Sequence, residues 1–255
     1  MRRGSFKIRI FIFIAIAAFA YLRKCSQEEV NPYTGKKQAI SLSPNEEIAI
    51  GLQSAPGMAQ QHGGLHPDNR YQALVHNVGN KLVNNSIAKD TPYKYEFHLL
   101  ADPNTINAFA LPGGQIFITH ALFAQLENED QLAGVLGHEI GHVLGKHSNE
   151  RITNANFWKV LAMGSSAIDM GGVAQQYGQG QLLKNGRGDE LESDELSVMF
   201  MLDAGYNPEE MIGVMEILKA AAGPNRVPEF QSTHPDPENR IEKIREAIEK
   251  YKNAS

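Results

Sequence analysis

The chain opens with an unbroken apolar run, Ile10 to Leu22, behind a basic start that carries Arg2, Arg3, Lys7 and Arg9. As a helix this run rises about 20 Å, short of the roughly 30 Å hydrocarbon core. Extension to Ile8, with flanking Arg and Lys side chains snorkelling, gives a marginal span. The layout predicts a signal peptide or signal anchor over residues 1–25. Ala18-Phe19-Ala20 offers a cleavage site, whereas Arg23-Lys24 favours retention. The basic excess ahead of the run places the amino terminus in the cytoplasm and the body on the periplasmic side of the cell envelope. The body is then tethered to the inner membrane by residues 8–22 or secreted after cleavage. Cys25 is a poor lipidation site, because Arg23 and Lys24 stand where small residues are needed.

Residues 26–42 read as a polar linker, and 43–255 as one domain. Ser43-Pro44-Asn45-Glu46 has a capping residue, a first-turn proline and a capping-box glutamate, so a helix runs to about Ser54 and resumes after Pro56. Gly63-Gly64 breaks it. Tyr71, Leu74, Val75, Val78 and Leu82 recur at helical spacing within Pro67–Ser86. Tyr95–Leu100, Thr105–Leu111 and Gln115–Thr119 read as strands, and Pro112-Gly113-Gly114 turns the last two into a hairpin. Asp130–His147 is a helix with Gly134, Gly137, Gly141 and Gly145 along one face. Each glycine costs roughly 1 kcal/mol against alanine, which close backbone packing must offset. Residues 171–188, rich in Gly and Gln, read as a mobile stretch that could cover a cleft. Helices follow over Asp189–Leu202, from Asn207-Pro208 to about Ala222, where Gly223-Pro224 ends it, and over Pro237–Lys252. The fold class is α+β, helix-rich, with a small sheet.

Of the 255 residues, 42% are hydrophobic and 21% charged, enough to bury a core without staples. The net charge of -5 gives nucleic-acid binding no electrostatic support, and one cysteine allows no intrachain disulfide.

The candidate chemistry lies in the glycine-studded helix. His138-Glu139-Ile140-Gly141-His142 puts two imidazoles four residues apart on one face, able to bind one zinc ion. Glu139 lies beside the open coordination position, placed to take a proton from the attacking water. Catalytic zinc needs a third protein ligand. His147 is one residue short of the position that one known solution requires, and a one-residue slip turns a helical side chain by about 100°. The other solution is a glutamate on a later helix. Glu190 and Asp194 share a face there: Glu190 can bind zinc while Asp194 fixes a ligand histidine. Glu192 lies about 200° round from Glu190 and faces elsewhere.

The histidine motif, Glu190-Leu191-Glu192-Ser193-Asp194 and Ser232-Thr233-His234-Pro235 together resemble the gluzincin zinc metallopeptidases. That family includes the CAAX prenyl protease, the heat-shock protease HtpX and the periplasmic, OMA-type outer-membrane quality-control proteases. Its pattern is the histidine motif followed by Glu-x-x-Ala-Asp, with Ser193 here in place of the alanine. Asn107-Ala108-Phe109-Ala110-Leu111-Pro112-Gly113-Gly114 resembles the family's segment before the active-site helix. The resemblance implies a zincin-type domain with one Zn2+ per chain on His138, His142 and Glu190. It places His234 near the zinc, either as a capping fourth ligand or as a catalytic stabiliser of the oxyanion, and Arg240 as a brace. A CAAX-processing role fits poorly, since that belongs to members with several membrane spans.

The expected function is zinc-dependent endopeptidase action on unfolded or misassembled cell-envelope proteins. Asn107, Ala108 and Phe109 would bind extended substrates by main-chain hydrogen bonds along a sheet edge. The alternative is a chaperone or assembly factor with latent protease activity. Membrane contact would run through the amino-terminal segment if it is uncleaved.

Overall fold

The computed structural model describes residues 3–168, 170–221, 234 and 239–253. The chain divides into two compact units, 1–43 with 147–186, and 44–146 with 187–255.

The first unit contains α1 (Arg3–Ser26), the strands β1 (Glu28–Val30) and β2 (Lys37–Ala39), α6 (His147–Ser165) and the start of α7 (Gly171–Asp203). Residues expected as linker thus include an antiparallel strand pair. Its turn is organised by Asn31, whose buried side chain accepts from the Tyr33 amide and donates to Gln38. α1 packs along α6 through a stripe that includes Phe13 and Ile16. A Cβ on Gly164 would meet the Ile16 side chain at 3.0 Å, so this glycine sets how near the helices come. The expected marginal span is not supported: among the described residues, no helix is long and apolar enough to cross a membrane.

The second unit contains α2 (Pro44–Gln61), α3 (Asn69–Asn85), β3 (Glu96–Leu100), β4 (Ala108–Leu111), β5 (Gln115–Thr119), the short α4 (His120–Phe123), α5 (Glu129–Leu144), the rest of α7, α8 (Glu210–Ala221) and α9 (Arg240–Lys252). The sheet order is β3-β5-β4, with β5 parallel to β3 and antiparallel to β4. The expected hairpin is therefore β4–β5. Gly113 and Gly114 both take positive φ, and a Cβ on Gly113 would lie 2.4 Å from Ile48 Cα. β4 forms one edge of the sheet.

One sheet face carries Leu100, Phe109 and Phe117, and Ala55, Met58 and Ala59 of α2 pack on it. This burial lies on both sides of Pro56, and α2 runs through the proline as one helix. The other face carries Phe97, Leu99, Ile116 and Ile118, all buried. Every residue of α5 from Gln131 to Leu144 is buried. Two of its glycines admit α7 closely: a Cβ on Gly141 would meet the backbone of Ser193 at Cα, 2.9 Å away, and one on Gly137 would meet the Ser197 hydroxyl at 2.6 Å. Gly145 instead forms the C-cap, and Lys146, at φ 55°, separates α5 from α6.

The Gly/Gln-rich stretch expected to be mobile is helical, because α7 runs unbroken from Gly171 to Asp203. Gly178 lies against Trp158 Cγ, where a Cβ would come within 2.8 Å, so this glycine serves packing. Ala222, Gly223, Pro224 and Pro237, expected at helix ends, lie outside the described residues, as do Ser232, Thr233 and Pro235.

Candidate metal centre

Helical spacing on α5 brings His138 Nε2 and His142 Nε2 to 3.0 Å from each other. α7, drawn against α5 by the glycine contacts, delivers Glu190 between them. Its Oε2 lies 3.2 Å from His138 Nε2 and its Oε1 3.3 Å from His142 Nε2. His234 adds Nδ1 at 3.1 Å from Glu190 Oε1 and 3.4 Å from His138 Nε2. Ligand atoms in a tetrahedral zinc shell, about 2.0–2.1 Å from the ion, stand about 3.3–3.4 Å apart. The separations here are of that size, and the donor atoms of all four residues lie within 4.8 Å of one another. The cluster fits a metal ion.

Polar contacts outside the cluster fix which nitrogen faces inward. Asp194 Oδ1 lies 2.8 Å from His138 Nδ1, so that nitrogen carries the proton and Nε2 presents a lone pair. Arg240, at the start of α9, donates to both oxygens of Asp194, at 2.6 and 2.9 Å. Burial works against a charged His138 ring, yet Asp194 and Glu190 raise its pKa to about 9. The cluster favours positive charge at its centre, whether proton or cation. Burial also opposes the charged form of Asp194, but Arg240 and His138 hold its carboxyl below the ordinary range.

Glu139 differs from these acids. It is fully buried, and neither carboxylate oxygen has a hydrogen-bond partner. Burial therefore pushes its carboxyl up. His234 Nε2 stands 3.5 Å from Glu139 Oε1 and 3.3 Å from the Ala108 carbonyl of β4. A buried carboxyl without hydrogen bonds, next to converging lone pairs, is suited to accept a proton from a water held there.

The structure thus gathers His138, Glu139, His142, Glu190, Asp194, His234 and Arg240 in one place. Asn107 and Ala108 are buried along β4, and Phe109 stacks on Phe117 with ring centroids 5.0 Å apart. Its side chain belongs to the core. The contact of His234 with the Ala108 carbonyl went unforeseen, since a main-chain oxygen has no signature in sequence.

The model of peptidase family M48 matches residues 69–248. The chain belongs to peptidase family M48. It is 33% identical to the mitochondrial metalloendopeptidase OMA1 of Schizosaccharomyces pombe over 245 residues, 92% of this chain and 71% of that protein. It is 31% identical to the β-barrel assembly-enhancing protease of Escherichia coli (strain K12) over 229 residues, 82% of this chain and 45% of that protein. The chain therefore spans less than half of that relative's length. The metalloprotease YcaL of Escherichia coli (strain K12) is 26% identical over 220 residues, 83% of each chain. M48 membership makes the chain a metalloendopeptidase, and the His/Glu cluster is where the metal of an M48 enzyme fits.

Proposed function

We propose that this chain is a zinc endopeptidase that cleaves unfolded or misassembled polypeptides of the cell envelope, with one zinc held by His138, His142 and Glu190. The observation that carries this reading is the approach of two imidazole nitrogens and one carboxylate to 3.0–3.3 Å of each other beside a buried carboxyl that has no hydrogen bond. Bound zinc supplies Lewis-acid activation of water and of the scissile carbonyl. Glu139 takes the proton of the attacking water and returns it to the leaving amine. Asp194, itself held by Arg240, keeps the His138 proton on Nδ1.

β4 lies at a sheet edge, so an extended peptide can pair with its main chain whatever its side chains, which suits unfolded substrates. Two of the chain's relatives, a mitochondrial metalloendopeptidase and a β-barrel assembly-enhancing protease, support a membrane-associated setting. The exported, periplasmic location is part of this proposal.

The test is Glu139→Gln. The variant is expected to retain bound zinc by elemental analysis and to lose casein cleavage by about 10²-fold or more. Retained cleavage overturns the assignment of the base.

A second reading concerns His234. The approach of its Nδ1 to Glu190 and His138 favours a fourth ligand that holds the resting enzyme latent. His234→Ala is then expected to raise basal casein cleavage. A fall at unchanged zinc content would assign the ring to oxyanion stabilisation instead.

A further inference from the structure

Within the first unit, α1 is apolar all round between Ile10 and Leu22. Phe13 and Ile16 face Gly164 of α6 and Ala20 is buried, but Phe11 is 74% exposed, Phe19 66% and Leu22 67%. A helix apolar on every side is ordinarily covered on every side. The exposure continues on the unit's other helices, at Met163 of α6 (65%) and at Val173 and Tyr177 of α7 (61% and 60%). Of the seventeen large hydrophobic side chains exposed among the described residues, fourteen belong to residues 1–43 and 147–186. Such a concentration marks an interaction surface.

Charge divides the same way. Residues 1–43 and 147–186 contain eleven Lys and Arg against four Asp and Glu, a net +7, while the remainder of the chain carries -12. The cationic unit also has a cleft of about 470 Å³ between the end of α1 and α6. Phe19, Phe157 and Met163 line its apolar part, and Arg23, Lys24 and Lys159 its polar part. Among the described residues, none of these three cations has an ion pair, and Lys24 Nζ lies 5.0 Å from the Phe157 ring centroid. An apolar cleft with three cations and no acidic lining residue has the chemistry to take a phosphate that bears acyl chains.

We infer that residues 1–43 and 147–186 form a module that docks in the plane of an anionic phospholipid surface. A lipid phosphate enters the Arg23/Lys24/Lys159 cleft, and the exposed side chains of α1, α6 and α7 reach the acyl layer. This requires no membrane span and does not rest on the peptidase reading. Its occupant is set by charge: a neutral apolar partner would leave the three cations unanswered.

The test is co-sedimentation of the full chain with vesicles of phosphatidylcholine alone or mixed with phosphatidylglycerol. Binding is expected to the mixed vesicles and to weaken with salt. Arg23→Gln/Lys24→Gln/Lys159→Gln is expected to lower partition by at least about tenfold. Met163→Gln/Val173→Asn, which leaves every residue of α1 unchanged, is expected to lower it by about tenfold as well. Circular-dichroism melting checks that both variants fold. Equal binding to neutral vesicles, or unchanged binding by the cleft variant, overturns the proposal. So does full affinity in the Met163/Val173 variant, which would leave α1 alone as the anchor. Displacement by inorganic phosphate at low concentration would reassign the cleft to the free anion. A vesicle-free dimer broken by the same variants would reassign the surface to a second copy.

Discussion

Glu139 and Glu190 are both buried carboxyls on neighbouring helices, yet their surroundings drive them apart. Burial pushes Glu139 up with no hydrogen bond to oppose it. Burial acts on Glu190 in the same sense, but His234, His142 and His138 outweigh it and hold that group far below the ordinary range. One acid is thus suited to exchange protons and the other to remain a ligand, a division of roles set by environment rather than residue type. Asp194 belongs with the second kind because of Arg240. That guanidinium is buried, and its two hydrogen bonds to Asp194 satisfy a carboxylate that would otherwise stand charged in the interior. Arg240→Ala is expected to destabilise the fold by about 3–5 kcal/mol, read by denaturant unfolding, and to weaken zinc retention. Asp194→Asn is the milder change: zinc affinity, read by chelator competition, is expected to fall by about 10–100-fold. If Arg240→Ala unfolds like the parent protein, the guanidinium is not a brace.

Between helices, glycine decides the distance. In sequence, four glycines on the active-site helix stand out as an unexplained cost, and α7 supplies the explanation for two of them, Gly137 and Gly141. Gly141 faces the Ser193 backbone, and Gly137 faces Ser197, whose hydroxyl donates to the Gly134 carbonyl at 3.0 Å. Ser193 is itself fully buried, so a small residue is required on the α7 side of this contact as well. Gly141→Ala would place a methyl 2.9 Å from Ser193 Cα and 3.0 Å from its carbonyl oxygen, where backbone cannot yield cheaply. The expected loss is about 1–3 kcal/mol in thermal unfolding, together with lower zinc occupancy, because the same contact sets how far Glu190 stands from the histidines. Wild-type melting and zinc content in this variant would show that the spacing is held elsewhere. Strong local signals made much of this architecture readable: the strand–Pro-Gly-Gly–strand hairpin, the periodic α3, and the histidine and acidic motifs on helices. Two elements were not readable. Nothing in the pattern of 147–165 or 171–186 announced a helix, since the first mixes polar and apolar residues without a clean face and the second is rich in glycine. Both become helical through contacts distant in sequence: Ile16 against Gly164, and Trp158 against Gly178.

Across the molecule, a bound cation would act as a crosslink as well as a reagent. His138 and His142 come from α5, Glu190 from α7 and His234 from the segment ahead of α9, stretches that are far apart in the chain. No local sequence period connects them, so only the motif spacing hinted that they meet. Without a cation, the lone pairs at this junction must be answered by protons, as the raised pKa of His138 indicates. An ion that binds the folded chain and not the unfolded one adds about 4 kcal/mol of stability when present at a thousand times its dissociation constant. Chelation is therefore expected to lower the melting temperature by several degrees, reversibly on return of zinc, with Glu139→Gln showing the same shift because it removes no ligand. Glu190→Ala is the decisive comparison. With one of three ligands gone, it is expected to melt near the chelated parent protein and to be almost insensitive to chelator, whereas Glu192→Ala keeps the full response. A chelator response that survives Glu190→Ala and disappears in Glu192→Ala would move the third ligand to the opposite face of the acidic run and require a different metal geometry.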